Sequence, residues 1–213
     1  MADFNQMPGL IMASGGVVSL DARAVRASVT VVSKAGPADM TRPTPCEDWT
    51  LGQLLAHMTV QHEGFAAAAE GNGADPSVWR ARTSAADPVA EYVAAADLVL
   101  HAFAADGVVA RDFVLPELDP AAPVPGGRAL LAHFIDYVTH GWDVARSLGL
   151  EHELDREVLG VALPIAEAIP DDESRLRFFA PRVIPPEAAG PLDRIVALLG
   201  RHPGWRPPEP AAA

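Results

Sequence analysis

Apolar residues recur at helical spacing in four long segments and two shorter ones, each bounded by glycine, proline or aspartate. The pattern predicts a first helix over residues 20–35, capped by Ser19 or Asp21 and stopped at Gly36-Pro37. A second begins at Thr50, where Gln53 three residues later completes a capping box. Its stripe is Leu51, Leu54, Leu55, Met58, His62 and Phe65, and Gly71-Asn72-Gly73 ends it. Asp87-Pro88 opens a third helix, carried by Val89, Tyr92, Val93, Ala96, Leu100 and Phe103 to a stop at Asp106-Gly107. The fourth, residues 127–148, packs through Leu131, Phe134, Ile135, Val138, Trp142, Ala145 and Leu148, with Gly149 as its terminal glycine.

Four helices of this length predict an all-α fold, a four-helix bundle. The link between the third and fourth is long enough for a crossover in place of simple up-and-down wiring. Residues 108–115 within it have strand-like content but are short and proline-bounded, which reads as an irregular crossing. Residues 154–168 form a further helix, expected to bend or break at Pro164. Residues 178–186 read as extended, and 191–199 make a short last helix stopped by Gly200. The chain thus divides into a disordered N-terminal arm (1–16), a bundle (17–150), a helical extension packed on it (151–205) and a disordered, proline-rich tail (206–213).

The 28 acidic residues against 16 basic ones give a formal net charge of -12, which repels phosphate backbones and argues against nucleic acid or an anionic membrane surface as partner. No apolar run approaches the roughly 18–20 residues that span a bilayer, and the first residues lack the basic and apolar regions of a signal peptide. A lone Cys46 excludes an intrachain disulfide and fits a reducing, cytoplasmic setting. It stands too far along the chain from His57 to be an obvious co-ligand and reads as a small buried hydrophobe.

The fourth helix carries the chemistry. Asp136, His140 and Asp143 stand at i, i+4 and i+7, on one side of a helix. Two potential metal ligands are thereby preset, and the second helix offers His57 as a third donor; by spacing alone His62 is its near equal. Asp143 is placed to hold the other N–H of the His140 imidazole. Summed angles put His133, Asp136, His140, Asp143 and Ser147 opposite the apolar stripe, where the ordinary reading is a solvated face. Residues 127–148 contain no Lys, Glu or Gln, however, the residues from which solvated faces are usually built. Two imidazoles and one carboxylate suit Zn²⁺, Ni²⁺, Fe²⁺ or Mn²⁺, with an open position for catalysis.

These residues carry a resemblance. Thr44-Pro45-Cys46-Glu47-Asp48-Trp49-Thr50 leading to Leu54-Leu55-Ala56-His57-Met58, then Asp136 to His140-Gly141-Trp142-Asp143-Val144-Ala145, resembles the mycothiol-dependent maleylpyruvate isomerase metal-binding domain family of the DinB/YfiT-like superfamily. The nearest likeness is to a largely uncharacterised branch that ends in a segment similar to residues 191–201. The resemblance implies a DinB/YfiT-like bundle, residues 17–150 as its metal-binding part, and His57 over His62 as first ligand. In the isomerase the ligand between the two histidines is a glutamate, and here Asp136 holds that position. The C-terminal part has no clear match to the isomerase's own C-terminal domain, so maleylpyruvate isomerisation is not carried over.

What the resemblance implies is a metal-activated thiolate, with mycothiol as co-substrate, adding to a small electrophile. Arg80, Arg82, Arg128 and Arg146 are candidates for docking the thiol. The expected activity is a metal-dependent thiol transferase or isomerase, acting as a monomer or homodimer. Two alternatives are a non-catalytic small-molecule-binding or stress-response module on the same bundle, and a structural protein whose polar stripe is buried hydrogen bonding.

Overall fold

Thr50 opens the best-marked helix. Its Oγ1 accepts from the Gln53 amide at 3.4 Å while Gln53 Oε1 accepts from the Thr50 amide at 2.8 Å, so two amides that a helix start leaves without partners are satisfied. The structure, a computed structural model, describes residues 16–46, 49–80 and 86–207. The expected arm before residue 16, the tail beyond 207, and Glu47, Asp48 and Arg82 lie outside the described residues.

Six α-helices run in chain order through the described residues: α1 Val17–Val32, α2 Leu51–Ala69, α3 Pro88–Phe103, α4 Gly126–Leu148, α5 Arg156–Ala168 and α6 Pro191–Leu198. The protein is an all-α bundle in which α1 packs along α4, α2 along α3, and α1 also meets α3. α2 and α4 face each other over a shorter stretch, and between them lies the polar chemistry. Leu54, Leu55, Met58, Tyr92, Leu130, Phe134 and Trp142 are at most 1% exposed, and each such side chain contributes about 1.5–3 kcal/mol by leaving water.

Three helices differ from expectation. α1 starts at Val17 behind Gly16, so neither Ser19 nor Asp21 caps it; Asp21 lies inside the helix, fully buried against His133. The buried face of α3 is turned toward Ala95, Val99 and Ala102, leaving Val93 and Leu100 only partly covered. α5 begins after Asp155, which caps it by accepting from the amides of Glu157 and Val158, and it continues through Pro164 as one helix. One backbone bond lost at the proline is outweighed by packing of Val158, Val161, Ala162, Ile165 and Ala166.

The crossover between α3 and α4 holds a single turn of 3₁₀ helix, Val108–Ala110, and two short antiparallel strands, β1 Asp112–Phe113 and β2 Val124–Pro125, which bury Phe113 and Val124. After α4, Gly149 takes the left-handed conformation and its amide and that of Leu150 bond back to Arg146 and Ala145, which ends the helix as expected. Arg23 of α1 is ion-paired with Asp155 and Glu157, tying the start of α5 to the bundle. Residues 178–186 form no ladder; the Val183 amide instead donates to the Ala197 carbonyl of α6 at 2.9 Å.

Candidate metal centre

The capping box fixes where α2 begins and therefore where His57 points. Two turns into α2, His57 is partly buried and faces α4, where Asp136 and His140 are one turn apart. One donor atom from each of His57, Asp136 and His140 lies within 4.8 Å of the other two. The His57 and His140 rings meet edge to face, their centroids 5.2 Å apart. Asp136 Oδ1 lies 3.3 Å from His140 Nε2; the Asp136 side chain is 29% exposed, and Asp136 and His57 are both only partly buried while His140 is buried. Burial, reinforced by the neighbouring His140 and Arg201, pulls the pKa of His57 down to about 4 despite Asp136, so its imidazole is neutral and able to ligate.

The far side of His140 is equally ordered. Its Nδ1 donates to Asp143 Oδ2 at 3.0 Å, and Asp143 is fully buried. Burial alone would raise the Asp143 pKa, but the Arg201 guanidinium and the His140 contact hold it below the usual carboxylate range. Arg201 Nη2 lies 3.0 Å from Asp143 Oδ2 and 3.6 Å from Cys46 Sγ. The sequence expectation for Cys46 is thus corrected: the chain folds back so that Cys46, His140 and Asp143 also bring donor atoms within 4.8 Å of one another. Residue separation to His57 is a poor guide here, because Cys46 is brought to the α4 side of the cluster.

The polar face of α4 is not solvated. His133, Asp143 and Ser147 are fully buried and His140 is 5% exposed. Ser147 Oγ donates to the Pro43 carbonyl at 2.9 Å, Thr44 Oγ1 donates to the carbonyls of Cys46 and Trp49, and the Trp49 ring covers His57 at 4.7 Å between centroids. The proline-rich segment before α2 thus lies over this face, which accounts for its lack of Lys, Glu and Gln.

His62 and His133 stand apart from the three-donor cluster. They bond to each other, and His133 to Asp21, one level deeper between α2 and α4. Among the arginines named as thiol-docking candidates, Arg146 is ion-paired with Glu151 and Asp193 and sits 5.3 Å over the Trp142 ring. Arg80 follows the 3₁₀ turn Pro76–Trp79. Sequence reasoning missed Arg201 and Trp49 as neighbours of the site, although an arginine directly after a helix-ending glycine, and a tryptophan just before the capping box, were visible signals.

A cavity of about 640 Å³ opens on another face of α2, lined by Ala56, Thr59, Val60 and Glu63 with Pro37 and Met40. None of the three donors lines it.

Residues 22–145 match the family model described as mycothiol maleylpyruvate isomerase N-terminal domain. Two curated relatives, uncharacterized proteins of Mycobacterium tuberculosis strains CDC 1551 and H37Rv, are each 30% identical over 188 residues, covering 84% of this chain and 94% of their own. The crystal structure of the mycothiol-dependent maleylpyruvate isomerase superposes with a TM-score of 0.46 at 15% identity, over 78% of this chain and 72% of that one.

Proposed function

The chain belongs to the mycothiol maleylpyruvate isomerase N-terminal domain family, and from that premise we propose that it holds a divalent ion on His57, Asp136 and His140 for thiol-dependent transfer or isomerisation of a small electrophile. The orientation of His140 is the observation that carries the reading. A carboxylate only accepts, so the 3.0 Å bond to Asp143 puts the His140 proton on Nδ1. Nε2, 3.3 Å from Asp136 Oδ1, is then the ring atom turned toward Asp136 and His57 and the one that a cation held among the three would use.

Two imidazoles, His57 and His140, and the Asp136 carboxylate form a donor set that suits Zn²⁺, Ni²⁺, Fe²⁺ or Mn²⁺. A divalent ion there would lower the pKa of a thiol offered to it. The family's description supports mycothiol as that thiol. Asp136 and His57 are the partly exposed members, so thiol and electrophile would approach from their side of the cluster, with the Trp49 ring packed against His57. In this reading residues 17–150 are the metal-binding bundle and 151–205 an extension packed on it.

Elemental analysis of untagged protein purified without chelator tests it, beside His57→Ala and His140→Ala prepared the same way. Near-stoichiometric metal in the parent and its loss in both variants is the expected result. A parent that takes up no Zn²⁺, Ni²⁺, Mn²⁺ or anaerobic Fe²⁺ on incubation overturns the reading and favours a binding or structural role.

A further inference from the structure

Arg201 lies far beyond the end of the family match at residue 145, yet it is only 5% exposed and reaches the centre of the bundle's polar face. Its guanidinium is held on every side. Nε lies 3.3 Å and Nη2 3.0 Å from Asp143 Oδ2, Nε lies 3.4 Å from Oδ1, Nη1 donates to the Leu199 carbonyl at 2.9 Å, and Nη2 contacts Cys46 Sγ. A rigid planar fork engaged at several points leaves the carboxylate little freedom to rotate. The orientation of Asp143 therefore originates in the C-terminal extension, and His140 inherits it through its Nδ1 bond.

A helix end aims the guanidinium. The amide of Gly200 bonds to Ala197 and that of Arg201 to Val196, the paired bonds of a Schellman motif, with Gly200 at φ +84°. A Cβ on Gly200 would sit 2.6 Å from the Ala180 carbonyl oxygen, so both conformation and space require glycine there. The turn reverses the chain and sends Arg201 back under α6 toward α4.

We propose that Arg201 is a positioning residue that acts through Asp143 to hold the bond from His140 Nδ1–H to the Asp143 carboxylate, and so keeps the Nε2 side of the ring turned toward His57 and Asp136. The extension is then a part of the site, and the region matched by the family model is incomplete without it. The consequence for metal affinity rests on the metal reading above; the tautomer does not.

Long-range ¹H–¹⁵N correlation spectra of the metal-free protein read the tautomer directly, and Zn²⁺ competition against a chromophoric chelator reads the affinity. The parent should show His140 as the Nδ1–H tautomer. Arg201→Lys, which keeps the charge but not the fork, should show mixed tautomers and about 10–100-fold weaker Zn²⁺ binding, the usual loss when a ligand's orienting partner is disturbed. A parent in the other tautomer, or an Arg201→Lys protein that keeps both tautomer and affinity, overturns the proposal. If the tautomer changes as expected but the parent binds no Zn²⁺, Arg201 still positions His140 and the metal reading alone fails. Should Arg201→Lys not fold, Asp143→Asn combined with Arg201→Leu removes both buried charges, and the same spectra decide: mixed tautomers support the proposal, an unchanged one overturns it.

Discussion

His62 Nδ1 lies 3.1 Å from His133 Nε2 in the fully buried core, so an imidazole of α2 is bonded to an imidazole of α4 one level below the three-donor cluster. His133 Nδ1 donates to Asp21 Oδ1 of α1 at 2.6 Å, which leaves His133 Nε2 to meet His62 Nδ1. Three helices are joined by one chain of polar groups.

That chain is structural in its consequences. Asp21→Ala strips the acceptor from His133 and leaves a buried N–H without a partner, which costs about 1–3 kcal/mol. Urea unfolding should show that loss while metal content stays at the parent level, since neither histidine belongs to the donor cluster. Loss of metal from a folded Asp21→Ala protein would place the pair in the site after all.

Asp136 behaves in the opposite way. Its side chain is 29% exposed, so Asp136→Asn should leave stability within about 0.5 kcal/mol of the parent. Removing a charged ligand should weaken Zn²⁺ binding by at least about 100-fold, the upper end of what disturbing a mere orienting partner costs. Chelator competition on the two proteins checks this, and equal affinities would remove Asp136 from the ligand set.

Gly141 allows His152 to pack against α4. A Cβ at residue 141 would lie 2.6 Å from His152 Nε2 and 3.3 Å from Ser28 Cβ, so Gly141→Ala should destabilise the protein by about 1–3 kcal/mol through overpacking. Much of that loss should be recovered when His152→Ala is added, with a coupling of roughly 0.5–3 kcal/mol in a double-mutant cycle. Simple additivity of the two losses would show that the clash is relieved elsewhere.

Much of this fold was legible because its strongest signals are local. Thr50 with Gln53, Asp87 with Pro88, and Gly149 each satisfy backbone groups within a few residues, and each marks a helix end where the spacing put it. The i, i+4, i+7 run of Asp136, His140 and Asp143 is local in the same sense, and the structure brings His57 to meet its first two members. Long-range features were not legible. Helical periodicity places Asp143 and Ser147 opposite the apolar stripe but cannot say that Pro43, Cys46 and Arg201, 58 to 104 residues distant, cover that face. Asp21 read as a cap because a carboxylate near a helix start usually is one; its partner His133 is 112 residues away. Pro164 read as a break because its local cost is fixed, whereas the packing that offsets it comes from other helices.

The buried histidines set the response to acid. Burial pulls the pKa of His152 down to about 4, and both of its ring nitrogens lack a hydrogen-bond partner among the described residues. His57 is likewise pulled down to about 4, and burial together with His133 holds His62 well below its ordinary value. An unfolded histidine takes up its proton near pH 6.5, so below that pH the unfolded chain binds protons that the folded chain refuses. Stability must therefore fall as pH drops from about 6.5 toward 4, by about 1.4 kcal/mol per pH unit for each such histidine. Metal-free protein should lose about 2 kcal/mol per histidine between pH 6.5 and 5, visible as a falling melting temperature. His152→Leu removes one titrating group without removing a hydrogen bond, so its stability should match the parent near pH 7.5 and decline less steeply, by about 1.4 kcal/mol per unit, on acidification. Parallel declines in the two proteins would mean that His152 takes up its proton in the folded state at its ordinary pKa, so that burial does not depress it.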